Sequence, residues 1–452
     1  MAVALPASLR AAGRQPGTGI ADIRVSHGAN VRVSHDHYGV HIEPHVAVNP
    51  RRPRQLMAAC QVSPTAAPEF LASYLSFDGG ATWQSGGVPV LPAGHTTTGD
   101  DVTVAFDQQG RGYMCATSYS GGRAVYVWRT DDGGRTFSAP VTLVENQYND
   151  HPRIAIGTGR TLSERNTVYV AWAAIGGDIR NPRNKLLMTR STDGGESFEA
   201  PRTILPEATA PSDISAGPDL AAGPHGLVCA TCFWTTLQPF GPPPPKGGVP
   251  RPSGDAVGHA VVVSSTDGGR SFSEPVHLGS GSLSILLPGD VNPNGGPTVA
   301  ISPRGDAFYV AFTKHRKGAI HSDIVVFASH DRGRTWSKPV TATPADDVIY
   351  FQPNLAVDHA GRVAISAFAL AHGRVDQVLL LSHPRQLRFR PPLRVTTAPF
   401  NPHNPTDPFG RKHGAWWIGD YQGIAAGAGA FHLVWNDTRT GKLDLFAATV
   451  RP

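Results

Sequence analysis

Apolar runs of five to seven residues recur along the chain, each followed by a glycine-containing turn and a second apolar run. The copies are HVAVNPRRPRQLMAAC, VTVAFDQQGRGYMCA, RIAIGTGRTLSERNTVYVAW, LAAGPHGLVCATCFW, TVAISPRGDAFYVAF, LAVDHAGRVAISAF and GIAAGAGAFHLVW. Alternating or β-branched runs of this length predict strand–turn–strand rather than helix. A third apolar run (AVYVWR, KLLMTR, AVVVSS, DIVVFAS, VLLLS) follows, and then a shorter fourth segment (SAPVTLV, EAPRTIL, SEPVHLG, SKPVTAT, PPLRVTT). Between third and fourth stands an octet: SFDGGATW (76–83), TDDGGRTF (130–137), STDGGESF (191–198), STDGGRSF (265–272) and SHDRGRTW (329–336). A sixth copy, SHPRQLRF (382–389), carries Pro384 where the others carry Asp. The third positions, Asp78, Asp132, Asp193, Asp267, Asp331 and Pro384, are separated by 54, 61, 74, 64 and 53 residues. A fixed octet at variable spacing marks one structural unit per repeat, joined by loops of changing length.

Four antiparallel strands per unit predict an all-β fold, a β-propeller of seven four-stranded blades, with six as the alternative count. The expected blades span about 41–91, 99–144, 150–206, 214–279, 292–343, 350–397 and 418–452. The last has three strands of its own, so the stretch 22–34 is expected to add its outer strand and close the ring without an open edge. Residues 22–452 then form one domain, and 1–21 a poorly ordered extension.

Composition sharpens this picture. The 452 residues include 50 Gly and 40 Pro, about a fifth of the chain against a usual ~12%, which excludes helical bundles and coiled coils. There are 40 basic and 35 acidic residues, a net charge of +5. Of the basic residues 33 are Arg, scattered rather than clustered, which argues against a nucleic-acid partner. No apolar run approaches the roughly 18 residues of a membrane span. The start, MAVALPASLR, is too short in its apolar part for a signal peptide, so the expectation is a secreted, monomeric mature chain, with the cytoplasm as alternative. Four cysteines, Cys60, Cys115, Cys229 and Cys232, define no disulfide framework. The C-x2-C of Cys229 and Cys232 lies in an apolar run with no matching ligand pair and reads as buried thiols.

In a ring of blades the first strands line the axis, so their leading residues meet at one mouth. These are Glu43-Pro44-His45, Asp100-Asp101, Asn149-Asp150-His151-Pro152-Arg153, Pro218-Asp219, Gly295-Gly296, Gln352-Pro353-Asn354 and Gly419-Asp420-Tyr421-Gln422. Concave openings of rings and barrels favour ligand sites. The connections between second and third strands open on the same face. The longest, 235–259, contains four consecutive prolines, and 397–417 ends in Trp416-Trp417, suited to stacking on sugar rings.

The octet resembles the Asp box, S-x-D-x-G-x-T-W, of the sialidase (neuraminidase) and BNR-repeat superfamily. The resemblance covers nearly the whole chain and implies a structural role for the octet Asp residues, in turns facing away from substrate. It also implies a mechanism: three Arg grip a substrate carboxylate, a Tyr paired with a Glu is the nucleophile, and an Asp is the acid/base. Carried over residue by residue, Tyr421 with Glu43 would be the nucleophile pair, and Asp101 or Asp150 the acid/base. Arg153, Arg439 and Arg374 or Arg316 would hold the substrate. His45, His151, Asp420, Gln352 and Trp416 would complete the binding surface. The superfamily's Arg-Ile-Pro signature is replaced here by Ile42-Glu43-Pro44, and catalytic sialidases have six blades.

His35 and His37, with Asp36, His41, Glu43 and His45 nearby, offer imidazole and carboxylate donors for a transition ion. Calcium on Asp100, Asp101, Asp150 and Asp420 is the oxygen-donor alternative. No cofactor is required by either scheme. Three functions follow: first a sialidase-like glycoside hydrolase acting on an acidic sugar at the channel mouth, and second a non-catalytic propeller binding carbohydrate or protein. A lyase acting on a uronate polymer through His and Tyr is the third.

Overall fold

The apolar runs pair as strand–turn–strand because each can bury one face against the next repeat. In the computed structural model they do so seven times around a ring. The structure describes residues 26–452 except 64–69, 96–98, 119–121, 160, 162–163, 165, 179–180, 207–212, 237–255, 285–286, 289–290, 293–294, 316–320 and 404–415. The 1–21 extension, Arg316 and most of both long loops lie outside the described residues.

Six blades are four-stranded antiparallel meanders in chain order. Blade 1 runs through Val40–Val48, Leu56–Ser63, Phe70–Ser76 and Gln84–Ser85. The first strands of blades 2 to 6 are Gly99–Phe106, Tyr148–Gly157, Asp213–Ala222, Thr298–Ile301 and Ile349–Val357. Blade 7 comprises Gly423–Gly427, Ala430–Asp437 and Asp444–Arg451, and its outer edge is covered from the N-terminal side. Ser26–His27 and Val31–Arg32 both pair antiparallel with Asp444–Arg451. This is the closure expected from a seventh unit one strand short, and it removes the exposed edge. The fold is a seven-bladed, all-β propeller. Helical structure among the described residues is confined to short 3-10 turns such as Pro224–Gly226, and no helix is long and apolar enough to cross a membrane.

The hydrophobic core is divided into seven wedges, one between each pair of neighbouring blades. The first strands of adjacent blades touch all the way round, so they line the axis. All four cysteines are buried and unbridged.

The octets form the turns between third and fourth strands. Ser76 Oγ donates to Asp78 Oδ1 (2.8 Å) and accepts from Gly80 N (2.8 Å). Asp78 also accepts from Thr82 N (2.9 Å) and Thr82 Oγ1 (2.6 Å). Gly79 and Gly80 take φ of 79° and 90°, which explains the glycine pair.

Candidate active site at the channel mouth

Five first strands carry a β-bulge at the mouth, where the pairing register shifts. The shifts fall between Ile42 and His45, Asp100 and Thr103, Asp150 and Arg153, Ala216 and Asp219, and Phe351 and Asn354. Each spans one residue with positive φ: Glu43 (57°), Asp101 (53°), His151 (48°), Gly217 (56°) and Gln352 (50°). Proline follows four of the five, and a bulge is one of the few places a strand admits it. Bulges re-aim side chains, and left-handed backbone at non-glycine residues concentrates at functional sites.

The residue two places after the positive-φ position ties its blade to the next. Val104 N donates to His45 Nδ1 (3.3 Å), Ile154 N to Thr103 Oγ1 (3.2 Å), and Val299 N to Asp219 Oδ2 (2.8 Å). Leu355 N donates to Thr298 Oγ1 (3.4 Å), and Asn354 Nδ2 to the Gln422 carbonyl (2.6 Å). His45 is therefore a half-buried acceptor. Burial, reinforced by nearby Arg153, lowers its pKa to about 3 and keeps it neutral. Gln352 is equally architectural: its Nε2 donates to the Gly419 carbonyl (2.6 Å) and its own carbonyl accepts from Gln422 Nε2 (3.1 Å).

Inside this ring lies an open cavity of about 480 Å³, lined by His151, Arg153, Asp219, Asn354, Asp420 and Tyr421 together with His45 and Gln352. His151 is surrounded by carboxylates. Its Nδ1 is 3.0 Å from Asp150, and its Nε2 is 3.6 Å from Asp101 and 3.8 Å from Asp420. Burial alone would depress its pKa, but Asp101 and Asp150 raise it well above the ordinary value, so it is an imidazolium at neutral pH. Burial pushes Asp101 up to about 6, with Asp150 and Asp420 adding to the rise and His151 and Arg153 opposing it. Asp101 is buried behind His151 and accepts the His151 backbone N–H (3.2 Å).

Arg153 crosses the mouth from blade 3. Its guanidinium carbon lies 4.1 Å from the centre of the Tyr421 ring of blade 7, and its Nε donates to the Pro218 carbonyl (3.2 Å) beside Asp219 (3.8 Å). The Tyr421 ring also meets His151 edge-on, with centroids 6.0 Å apart. Tyr421, Arg153 and His151 thus form one contiguous surface.

Glu43, Arg439 and Arg374 lie outside the lining of the cavity. Glu43 Oε1 accepts the Asp420 backbone N–H (3.2 Å) at the seam between blades 1 and 7. Arg439 is committed to Asp437 (2.5 Å) and lies over Phe446, outside the lining of the cavity. Arg374 is exposed on a hairpin end, also outside that lining. A three-Arg clamp is not assembled among the described residues: Arg153 is the one Arg lining the cavity. Trp416 pairs through its backbone, in parallel, with Val291, and Asp100 pairs antiparallel with Thr117. Asp219 and Asn354, which complete the lining, stand among the mouth residues read from the sequence but were given no role there.

Among the described residues, the donors close enough to share a metal ion are Asp101, Asp150 and His151, whose ligand atoms lie within 4.8 Å of one another. His35 and His37 are exposed and join no such group, and the His37 ring packs on Tyr38 at 4.3 Å. His41 is instead buried at the closure seam, 3.0 Å from Asp36.

No family profile matches the chain, and no curated protein matches it by sequence. Solved structures do match its shape. An ulvan lyase of polysaccharide lyase family PL25, solved bound to -[GlcA(1-4)Rha3S]-, shares 12% identity over 91% of this chain and 94% of that chain, with a TM-score of 0.53. The Penicillium chrysogenum α-L-arabinanase complexed with arabinobiose shares 10% identity over 94% of this chain and 98% of that chain, with a TM-score of 0.50. At such identities the likeness is one of fold.

Proposed function

We propose that the protein is a carbohydrate-active propeller that breaks a glycosidic linkage by proton transfer at the channel mouth. The observation that carries this reading is the contiguous His151–Arg153–Tyr421 surface, backed by Asp101 and Asp150. That the two structural neighbours above are named for action on glycans supports the same class. The set suits β-elimination at a uronate better than the sialidase scheme. Arg153 would neutralise the sugar carboxylate, Tyr421 would take the proton beside it, and the His151 imidazolium would protonate the leaving oxygen.

The second reading is hydrolysis, favoured by the Asp420 carboxylate in the same cavity as the imidazolium, an acid and an anion side by side. Incubation with a panel of uronate polymers, arabinans and a fluorogenic sialoside separates the schemes. Elimination gives an unsaturated product that absorbs in the ultraviolet, and hydrolysis gives reducing ends without that absorbance. Glycan binding without turnover on any substrate would sink both and leave a binding propeller. Activity that survives a chelator supports His151 as a proton carrier, whereas loss restored by a divalent ion supports a metal held by Asp101, Asp150 and His151.

A further inference from the structure

Each complete octet seals the joint to the preceding blade. The carbonyl at its fourth position accepts a hydrogen bond from that blade: Gln55 Nε2 to Gly133 (3.1 Å), Tyr113 Oη to Gly194 (3.1 Å) and Arg190 Nη1 to Gly268 (2.7 Å). Ser264 Oγ donates to Arg332 (3.1 Å) and Thr449 Oγ1 to Gly79 (2.9 Å) in the same way. The glycine at the fifth position presses on the same blade. A Cβ on Gly195 would stand 2.9 Å from Tyr113, and one on Gly269 would stand 2.7 Å from Met188.

Blade 6 breaks this rule. Its octet has Pro384, Arg385 and Gln386 where the others have Asp and one or two glycines. Arg385 keeps the left-handed backbone (φ 56°) and the bond from its N–H to the Gly361 carbonyl (2.8 Å), so the turn sits in the usual place. Among the described residues no side chain of blade 5 reaches the Arg385 carbonyl. In place of the seal is an open recess of about 620 Å³ between blades 5 and 6, on the face opposite the mouth.

Tyr309 holds the register position in blade 5 that Tyr113 holds in blade 2, the second residue of its strand. Tyr113 donates its hydroxyl to the octet. Tyr309 is buried, lines the recess, and has no hydrogen-bond partner among the described residues. Burial, then Asp306, raises its pKa, so it remains a proton donor at neutral pH. The charges around it are unbalanced. Arg304 and Arg385 line the recess and form no ion pair among the described residues, and His330 and His359 stand beside them. Asp358 is neutralised by Arg362 (2.7 Å), which leaves Asp306, bonded by Ser302 Oγ (2.6 Å), as the one carboxylate without a cation.

We infer that this recess binds an oxyanion through Arg304, Arg385 and the Tyr309 hydroxyl, as a sulfate, phosphate or carboxylate that is either free or carried on a sugar. Guanidinium groups and a phenolic donor are the groups such an anion requires. The site is independent of the chemistry at the mouth.

Calorimetric titration of the full chain at low salt with inorganic sulfate, inorganic phosphate, glucuronate and a sulfated monosaccharide tests this. Saturable binding is expected for at least one, weakened tenfold or more by Arg385→Asp and several-fold by Tyr309→Phe, and unchanged by His151→Asn. Tighter binding of the sugar-borne group than of the inorganic ion assigns the site to a glycan, and equal affinity assigns it to the free anion. The combined replacement Pro384→Asp, Arg385→Gly, Gln386→Gly rebuilds the octet, so it should close the recess and abolish binding with Tm held or raised. Absence of saturable binding for all four, or equal affinity in wild type, Tyr309→Phe and the rebuilt octet, overturns the inference.

Discussion

Four acidic groups, two imidazoles and one guanidinium share the channel mouth, and their protons are distributed by burial and mutual charge. Asp101, pushed up to about 6, binds its proton more tightly in the folded than in the unfolded chain. Its contribution to stability is therefore full below the ordinary carboxylate value and lost as pH rises through about 6. At pH 7 its charge costs stability, so Asp101→Asn is expected to leave Tm unchanged or higher while lowering kcat/KM at least tenfold. A clear fall in Tm with activity retained would remove Asp101 from the site's machinery. The same group predicts an acid limb near pH 6 in kcat/KM, the macroscopic value of the coupled cluster. Asp150 is one of the charges that raises Asp101, so Asp150→Asn should move the limb to lower pH. An unmoved limb would mean that another group controls it. His45 is the counterexample among histidines at the mouth: neutral, half-buried and spent on the Val104 amide 59 residues away.

Each complete octet is a circuit of hydrogen bonds within eight residues, and this is why the repeat was readable from sequence. Asp193 shows the pattern: it accepts from Ser191 Oγ (2.6 Å), Glu196 N (3.0 Å), Ser197 N (3.1 Å) and Ser197 Oγ (2.5 Å). Although burial opposes it, these donors, led by Ser191 and Ser197, lower its pKa to about 2. A carboxylate with a lowered folded pKa stabilises above its unfolded value and loses that contribution as pH falls toward about 2. Asp193→Ala should cost roughly 1–2 kcal/mol, the usual range for lost hydrogen bonds to a charged but largely exposed group, with kcat unchanged. Urea unfolding near pH 7 and pH 3 measures this, and the difference between variant and wild type should shrink at the lower pH. The bulges at the mouth were much less legible. Nothing in the local sequence says that Glu43, Asp101, His151 and Gln352 take positive φ, because that conformation is imposed by strands paired across and between blades. The sequence pattern therefore brought the right segments to the mouth and mixed two kinds of residue within them: His45 and Gln352, which tie the ring together, and His151 and Tyr421, which face the cavity. Arg439 shows a different limit, since its partner Asp437 is two residues away while its exclusion from the cavity depends on Phe446 and Asn30.

A ring of seven wedges has no centre of its own, so its stability depends on the last joint as much as on any blade. That joint is made by one chain end on the other, and Asp444 stands at its middle. It is fully buried and takes Arg32 (3.0 Å), Ser34 Oγ (2.9 Å) and Thr440 Oγ1 (2.5 Å), with His41 Nδ1 at 3.6 Å. Three of the four partners come from the N-terminal side, so the carboxylate fastens Val31–Arg32 and the start of blade 1 to the final strand. Removing it strands Arg32 without its anion, whereas His41 keeps Asp36 at 3.0 Å, and breaking such a pair costs about 3–5 kcal/mol when both partners are buried. Arg32 is 34% exposed, which moves the expected cost of Asp444→Ala toward the lower end of that range. Ser34→Ala removes one hydrogen bond and should cost about 1 kcal/mol. If the joint is what keeps the ring shut, Asp444→Ala should do more than lower the urea midpoint. Freed from its cover, the edge of Asp444–Arg451 becomes available to another chain, so the variant should self-associate in proportion to concentration while wild type does not. Sedimentation velocity across a concentration series reads this directly. A variant that loses stability but stays as dispersed as wild type would show that Ser26–His27 holds the edge alone, and that Asp444 serves the interior of the seam rather than its closure.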